Sequence, residues 1–165
     1  MKVRDALDYL CDQHQKHKLL FESLPDKRNY TVLRDKIIRH VNLEEEVLFK
    51  NLLEMDLFRE RIDSAWEDHK NLMMILKDLD SHEYNSPSWK EAFRKLKNIH
   101  ELHIQEEEKE FFPEIKSKIP DDYLATMADQ MRAHAKNQEA NFILYPSIPG
   151  QHEKPPVIHE QVADH

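Results

Sequence analysis

The chain has 165 residues, a formal charge of −8 and a single glycine, Gly150, which fits one compact domain and leaves no provision for Gly-rich phosphate loops. The acidic balance without a clustered Lys/Arg stripe argues against nucleic acid, whose affinity comes largely from neutralised phosphates. With Cys11 the lone cysteine, an intramolecular disulfide is excluded, as is a zinc site built from two or more thiolates of this chain.

In chain order, the first periodic stretch places Val3, Leu7, Leu10, His14, His17, Phe21 and Leu24 on one stripe at three- and four-residue steps, ending before Pro25. The spacing predicts a first helix. After the polar break PDKRN, a second stripe runs through Leu33, Ile37, His40, Val41, Glu44, Leu48 and Leu52 and fades near Met55. A third runs through Ile62, Trp66, His69, Met73, Leu76 and Leu79 before the turn-rich SHEYNSPS, where Ser88 is the candidate N-cap of the next helix. The fourth stripe holds Trp89, Phe93, Leu96, His100, His103, Glu107 and Phe111 and closes near Pro113.

Four such helices with short connections predict an all-α, up-down-up-down antiparallel four-helix bundle over residues 1–118. Leu124, Met127, Met131 and Ala135 form a weaker stripe, which predicts a short fifth, C-terminal helix over 119–144, against one side or end of the bundle. From 145 to 165 the chain carries Pro146, Pro149, Pro155 and Pro156 with His152, His159 and His165 and no apolar period. That predicts a flexible tail. The start MKVRDALDYL lacks the apolar stretch of a signal peptide, and the longest apolar run, LMMIL, is too short to span a bilayer; the expected setting is the reducing cytoplasm, with no membrane partner.

The stripes are interrupted by polar groups. His14, His40, Glu44, His69, His103 and Glu107 stand where periodicity demands core residues, and a buried carboxylate without a partner costs several kcal/mol or protonates. The pattern His-x-x-x-Glu-Glu-x-x-x-Phe occurs twice, as HVNLEEEVLF from His40 and HIQEEEKEFF from His103, and residues four apart on a helix share a face. Setting His14 on His69 also aligns Phe21 with Leu76 and Leu24 with Leu79, so the chain reads as a duplicated helix pair. Counting from the connections puts His14 and His40 about three turns in from the same end, with His69 and His103 at a similar level. A nitrogen and oxygen donor set without thiolates suits iron, manganese or zinc, and paired carboxylates with imidazoles suit two iron ions best.

This arrangement, His, then His-x-x-x-Glu-Glu, then His, then His-x-x-x-Glu-Glu, resembles the hemerythrin-like HHE cation-binding domain over roughly residues 5 to 115. The resemblance implies a non-haem di-iron centre with Glu44 and Glu107 bridging, His14 and His40 on one iron, and His69 and His103 on the other. The oxygen-carrying members have a His-x-x-x-His pair on the third helix; here the positions four either side of His69 are Ala65 and Met73. One imidazole is therefore missing. His100 and, after it, His17 are the candidates to fill that position, or to act as hydrogen-bonded core histidines beside the ligands. Glu45 and Glu108, repeated at one offset, are candidates to hold a ligand histidine, and Cys11 reads as a small buried hydrophobe.

The expected function is a di-iron protein that binds or senses O2, NO or peroxide, or handles iron. The alternatives are a di-iron enzyme acting on peroxide or nitric oxide, and a structural or interaction bundle without metal. Sensing would act through a homodimer, an unidentified protein partner or the tail.

Overall fold

A computed structural model of the chain describes residues 4–23 and 26–144, with side chains described as far as Glu139. Val3, Leu24 and Pro25, the expected tail from 145 to 165 and its histidines His152, His159 and His165 lie outside the described residues. All regular structure among the described residues is helical. The first helix is α1 (Ala6–Glu22). The second rod joins α2 (Lys27–Leu43), a π-helical turn (Glu44–Phe49) and α3 (Lys50–Glu54) end to end. Then come α4 (Arg59–Ser81) and a fourth rod made of α5 (Pro87–Glu106), a second π-helical turn (Glu107–Phe111) and α6 (Phe112–Lys118). A fifth rod, α7, runs Asp121–Leu144. No helix among them is long and apolar enough to cross a membrane.

The starts follow from local chemistry. Asp5, Asp26 and Ser86 turn their side chains onto the amide N–H groups of Asp8, Asn29 and Trp89, at 2.9, 2.7 and 3.2 Å, satisfying donors that an α-helix leaves orphaned. The cap of the fourth rod is thus Ser86 rather than Ser88, because Pro87 takes the first helical position, where its missing N–H costs nothing. With no glycine available, Asp56, Phe58 and Asn85 take the left-handed backbone positions at the connections, at φ of 57°, 61° and 65°.

Pro113 does not end the fourth rod. In the π turn before it, the Phe112 N–H bonds to the Glu107 carbonyl five residues back, and the widened turn accommodates a ring without an N–H. The rod therefore continues to Lys118. The fifth helix is also longer than its stripe suggests, at 24 residues. Its first half buries Leu124, Met127, Ala128 and Met131. Farther along, polar contacts take over: His134 lies 2.9 Å from Asn42 Oδ1, which also accepts from Gln138.

The core is split in two. One apolar cluster gathers Leu7, Leu10, Leu48, Phe49, Ile62, Phe111 and Ile115 with the α7 residues, and the other gathers Phe21, Leu33, Ile37, Leu72, Leu76, Trp89 and Leu96. Burying such side chains contributes about 1.5–3 kcal/mol each. Between the two clusters lies a layer of buried histidines and glutamates.

Candidate metal centre

Both π turns begin on a buried glutamate of the doubled motif, Glu44 and Glu107. A π turn widens the helix by one residue and is common at functional sites. Here it follows His40 and His103, which stand in the last turns of their α-helical segments and face inward. His14 from α1 and His69 from α4 complete the layer, and all six side chains are 0–5% exposed.

Their atoms converge. His40 Nε2 lies 3.0 Å from Glu44 Oε1, and His103 Nε2 lies 3.0 Å from Glu107 Oε1. Glu44 reaches across to His69 Nε2 at 3.0 Å through its other oxygen, and Glu107 reaches His14 Nε2 at 3.2 Å. Two overlapping groups result, His14–His40–Glu44–Glu107 and Glu44–His69–His103–Glu107, each with its donor atoms within 4.8 Å of one another. The structure thus brings together all six predicted residues, and each glutamate belongs to both groups.

The outer ring nitrogens fix which way these imidazoles face. His14 Nδ1 donates to Glu108 at 2.9 Å, His40 Nδ1 to the Gln13 amide oxygen at 2.7 Å, His69 Nδ1 to Glu45 at 2.8 Å and His103 Nδ1 to Asp68 at 3.3 Å. Each partner atom only accepts, so a hydrogen stands on Nδ1, and it is Nε2 that faces inward, free to present a lone pair to a cation once the ring is neutral. The motif's phenylalanines finish the clamp. Phe112 stacks on His14 at 5.9 Å and Phe49 on His69 at 5.6 Å. Each ten-residue motif therefore carries two inward donors, His and Glu, followed by a Glu and a Phe that grip a third donor on the neighbouring rod. Gln13 and Asp68, which the periodicity did not single out, occupy matching positions just before His14 and His69. That shared place in the repeat was the signal for them.

This geometry calls for cations. His14 Nε2 and His40 Nε2 stand 3.0 Å apart, and two lone pairs at that distance repel unless a proton or metal sits between them. His103 Nε2, Glu44 Oε1 and both Glu107 oxygens are buried without hydrogen-bond partners, despite the ion-pairing distances above. Buried groups of this kind cost free energy unless something coordinates them. The donor chemistry and the orphaned atoms fit metal binding.

Without metal, protons must take over. Burial opposes charge on His69 and His103, but Glu44 and Glu45 around the first, and Glu107 and Asp68 around the second, outweigh it and lift them to about 9 and about 10. Burial and the neighbouring Glu44 charge oppose ionisation of Glu107, yet His103 and His14 hold it down at about 2. Burial and the nearby imidazoles push His100 down to about 3. Stability that comes from a raised histidine is complete below its ordinary 6.5 and is lost as pH rises through the folded value; a depressed histidine withdraws stability as pH falls from 6.5. The metal-free chain is therefore expected to melt highest near pH 6.5, losing stability through His69 and His103 toward pH 9 to 10 and through His100 toward pH 3. Thermal melts of chelator-treated protein across that range check this. A midpoint still rising at pH 9 would contradict it.

His17 and His100 are not brought into either donor group. They face each other instead, His17 Nδ1 to His100 Nε2 at 3.1 Å, one turn from His14 and His103 and beneath Phe21. Cys11 is half-buried and shares a third, more exposed group with His14 and Glu108, on the outer side of the His14 ring. Ala65 and Met73, four either side of His69, supply no further donor.

The family model of the hemerythrin HHE cation binding domain matches residues 2–115. A crystal structure of a hemerythrin HHE cation binding domain-containing protein from Mycobacterium kansasii is similar in fold, with a TM-score of 0.72 and 19% identity, covering 86% of this chain and 91% of that one. No curated protein matches the sequence significantly. Taken with the two His-x-x-x-Glu motifs that the model spans, these findings place the chain in the hemerythrin HHE cation-binding domain family.

Proposed function

We propose that the chain holds a carboxylate-bridged pair of iron ions and uses it to bind or sense a small ligand such as O2, NO or peroxide, or to handle iron. His14 and His40 serve one ion, His69 and His103 the other, and Glu44 and Glu107 are shared. The observation that carries this reading is the sharing itself, two four-residue donor groups with both glutamates in common. Nitrogen and oxygen donors without thiolate favour iron over a structural zinc, with manganese the next candidate. Bound iron supplies a Lewis acid and an exchangeable electron. The chain's own residues fix the imidazole tautomers, supply the bridging charge and exclude water through the flanking apolar clusters.

Anaerobic titration of metal-free protein with ferrous iron tests the reading. Binding that saturates at two equivalents, followed on oxidation by the near-ultraviolet absorption of a ferric pair, is the expected result. Failure to take up stoichiometric iron would sink it. An enzyme acting on peroxide or nitric oxide is the second reading, favoured by a small cleft that reaches His103 and Glu107. Repeated turnover per site, absent in Glu44→Ala, distinguishes it from a single binding event.

A further inference from the structure

The two tryptophans stand in different relation to the donor layer. Trp66 lies on α4 one turn before His69, half-buried against the apolar cluster that contains Phe49. Its ring meets Phe49 edge-on at 6.4 Å, and Phe49 stacks on His69 at 5.6 Å with the planes 14° apart. A single phenyl ring therefore joins a half-buried indole to an imidazole of the layer. Trp89 is buried in the other cluster, and its ring contacts pass through Phe93, Phe21, His100 and His17 before they reach His40. It also precedes His103 by 14 residues on the same helix, about 21 Å of helical rise. The repeat marks the same place in the other half. In the alignment that sets His14 on His69, Trp66 corresponds to Cys11, and Phe112 stacks on His14 as Phe49 does on His69. Each half thus carries, one turn before its clamped histidine, an oxidisable side chain that is only partly buried.

Resting on the di-iron reading above, we propose that Trp66 is a one-electron donor to the metal pair, passing its electron through Phe49 and His69 when peroxide is reduced there. An indole gives up an electron more readily than a phenyl or imidazole ring and spreads the unpaired spin over its whole ring system. Phe49 is 0% exposed, so the path between the indole and the imidazole is close-packed protein and not solvent. Reduction of hydrogen peroxide to two water molecules takes two electrons, with two protons drawn from solvent. Trp66 supplies one electron and releases its indole proton to solvent; the other electron comes from the single ferrous ion of a half-oxidised pair, which becomes ferric. The neutral indolyl radical that remains lies away from the histidines and glutamates of the layer. Because the ring is half-buried, a diffusing hydrogen-atom donor such as a thiol restores it.

The experiment starts from iron-loaded protein of measured iron content, in which ferricyanide has removed one electron from each pair. Mixing with an equivalent of hydrogen peroxide and freezing within milliseconds should give the electron paramagnetic resonance signal of an indolyl radical, narrowed when the tryptophans are ring-deuterated. Peptide mass spectrometry should then find oxygen added at Trp66 and not at Trp89. Trp66→Phe should keep its iron and lose both signatures. Phe49→Leu, which removes the bridging ring and leaves the indole in place, should lower the radical yield severalfold, whereas Trp89→Phe should leave it unaltered. Zinc-loaded protein given the same peroxide should show neither signature. If Phe49→Leu fails to load iron, Trp66→Phe against Trp89→Phe carries the comparison. No radical in iron-loaded wild type, a radical that survives Trp66→Phe, a yield unchanged in iron-loaded Phe49→Leu, or Trp66 oxidised as fully with zinc as with iron would overturn the assignment and leave the di-iron reading standing. Wild-type protein that takes up no iron would overturn both.

Discussion

Glu44→Ala is expected to abolish metal loading of both positions at once. Glu44 places Oε1 3.0 Å from His40 Nε2 and Oε2 3.0 Å from His69 Nε2, so one truncation removes a donor from each group. Neighbouring residues that only orient ligands are already worth 10- to 100-fold in affinity, so loss of a shared donor should cost roughly a hundredfold or more for each ion. Ordinary two-site behaviour, with one affinity lost and the other kept, would mean that Glu44 serves a single ion. The variant should still fold, since the apolar clusters above and below the layer are untouched. Far-ultraviolet circular dichroism with equilibrium metal titration checks both halves of the expectation.

Removing the metal is expected to produce the second large effect. In the metal-free chain the facing Nε2 atoms of His14 and His40 and the unpartnered oxygens of Glu107 are left to protons. A ligand that binds only the folded state stabilises it by about 4 kcal/mol at roughly a thousand times its dissociation constant, about 10 °C in melting midpoint for a domain of this size. Calorimetry of loaded and chelator-treated protein at pH 8 should show that difference. It should widen toward pH 10, where His69 and His103 surrender their protons and the carboxylates lose their compensation. Equal midpoints would argue that the polar layer is complete without a cation.

Much of this was legible because the site lies on the apolar stripes themselves. His14, His40, Glu44, His69, His103 and Glu107 interrupt the apolar helical period, and a buried acid at such a place demands a reason. The Glu45 and Glu108 clamps were legible through their common offset, and they hold His69 and His14. Gln13 and Asp68 escaped notice because a half-buried polar residue beside a helix stripe looks the same whether it holds a histidine or faces water. The π turns left no mark on the spacing from His to Glu, which is four residues in either kind of helix. Pro113, which reads as the close of the fourth stripe, instead sits inside a rod that continues past the second of them. His100 and His17 lie on the same stripes as the donor residues, so spacing alone left them between ligand and hydrogen-bonded core histidine; one turn farther from the π segment they meet each other. The apolar stripe of α7 covers only its first half, and beyond it Asn42, His134 and Gln138 hold the helix through polar contacts.

The central claim is two cations sharing Glu44 and Glu107, and diffraction from iron-loaded crystals across the iron absorption edge tests it most directly. The account predicts two anomalous peaks inside the bundle, one beside His14 and His40 and one beside His69 and His103, each with an oxygen from both glutamates in its coordination sphere. A single peak, or a peak at Cys11, His14 and Glu108 on the outer side of the ring, would contradict it.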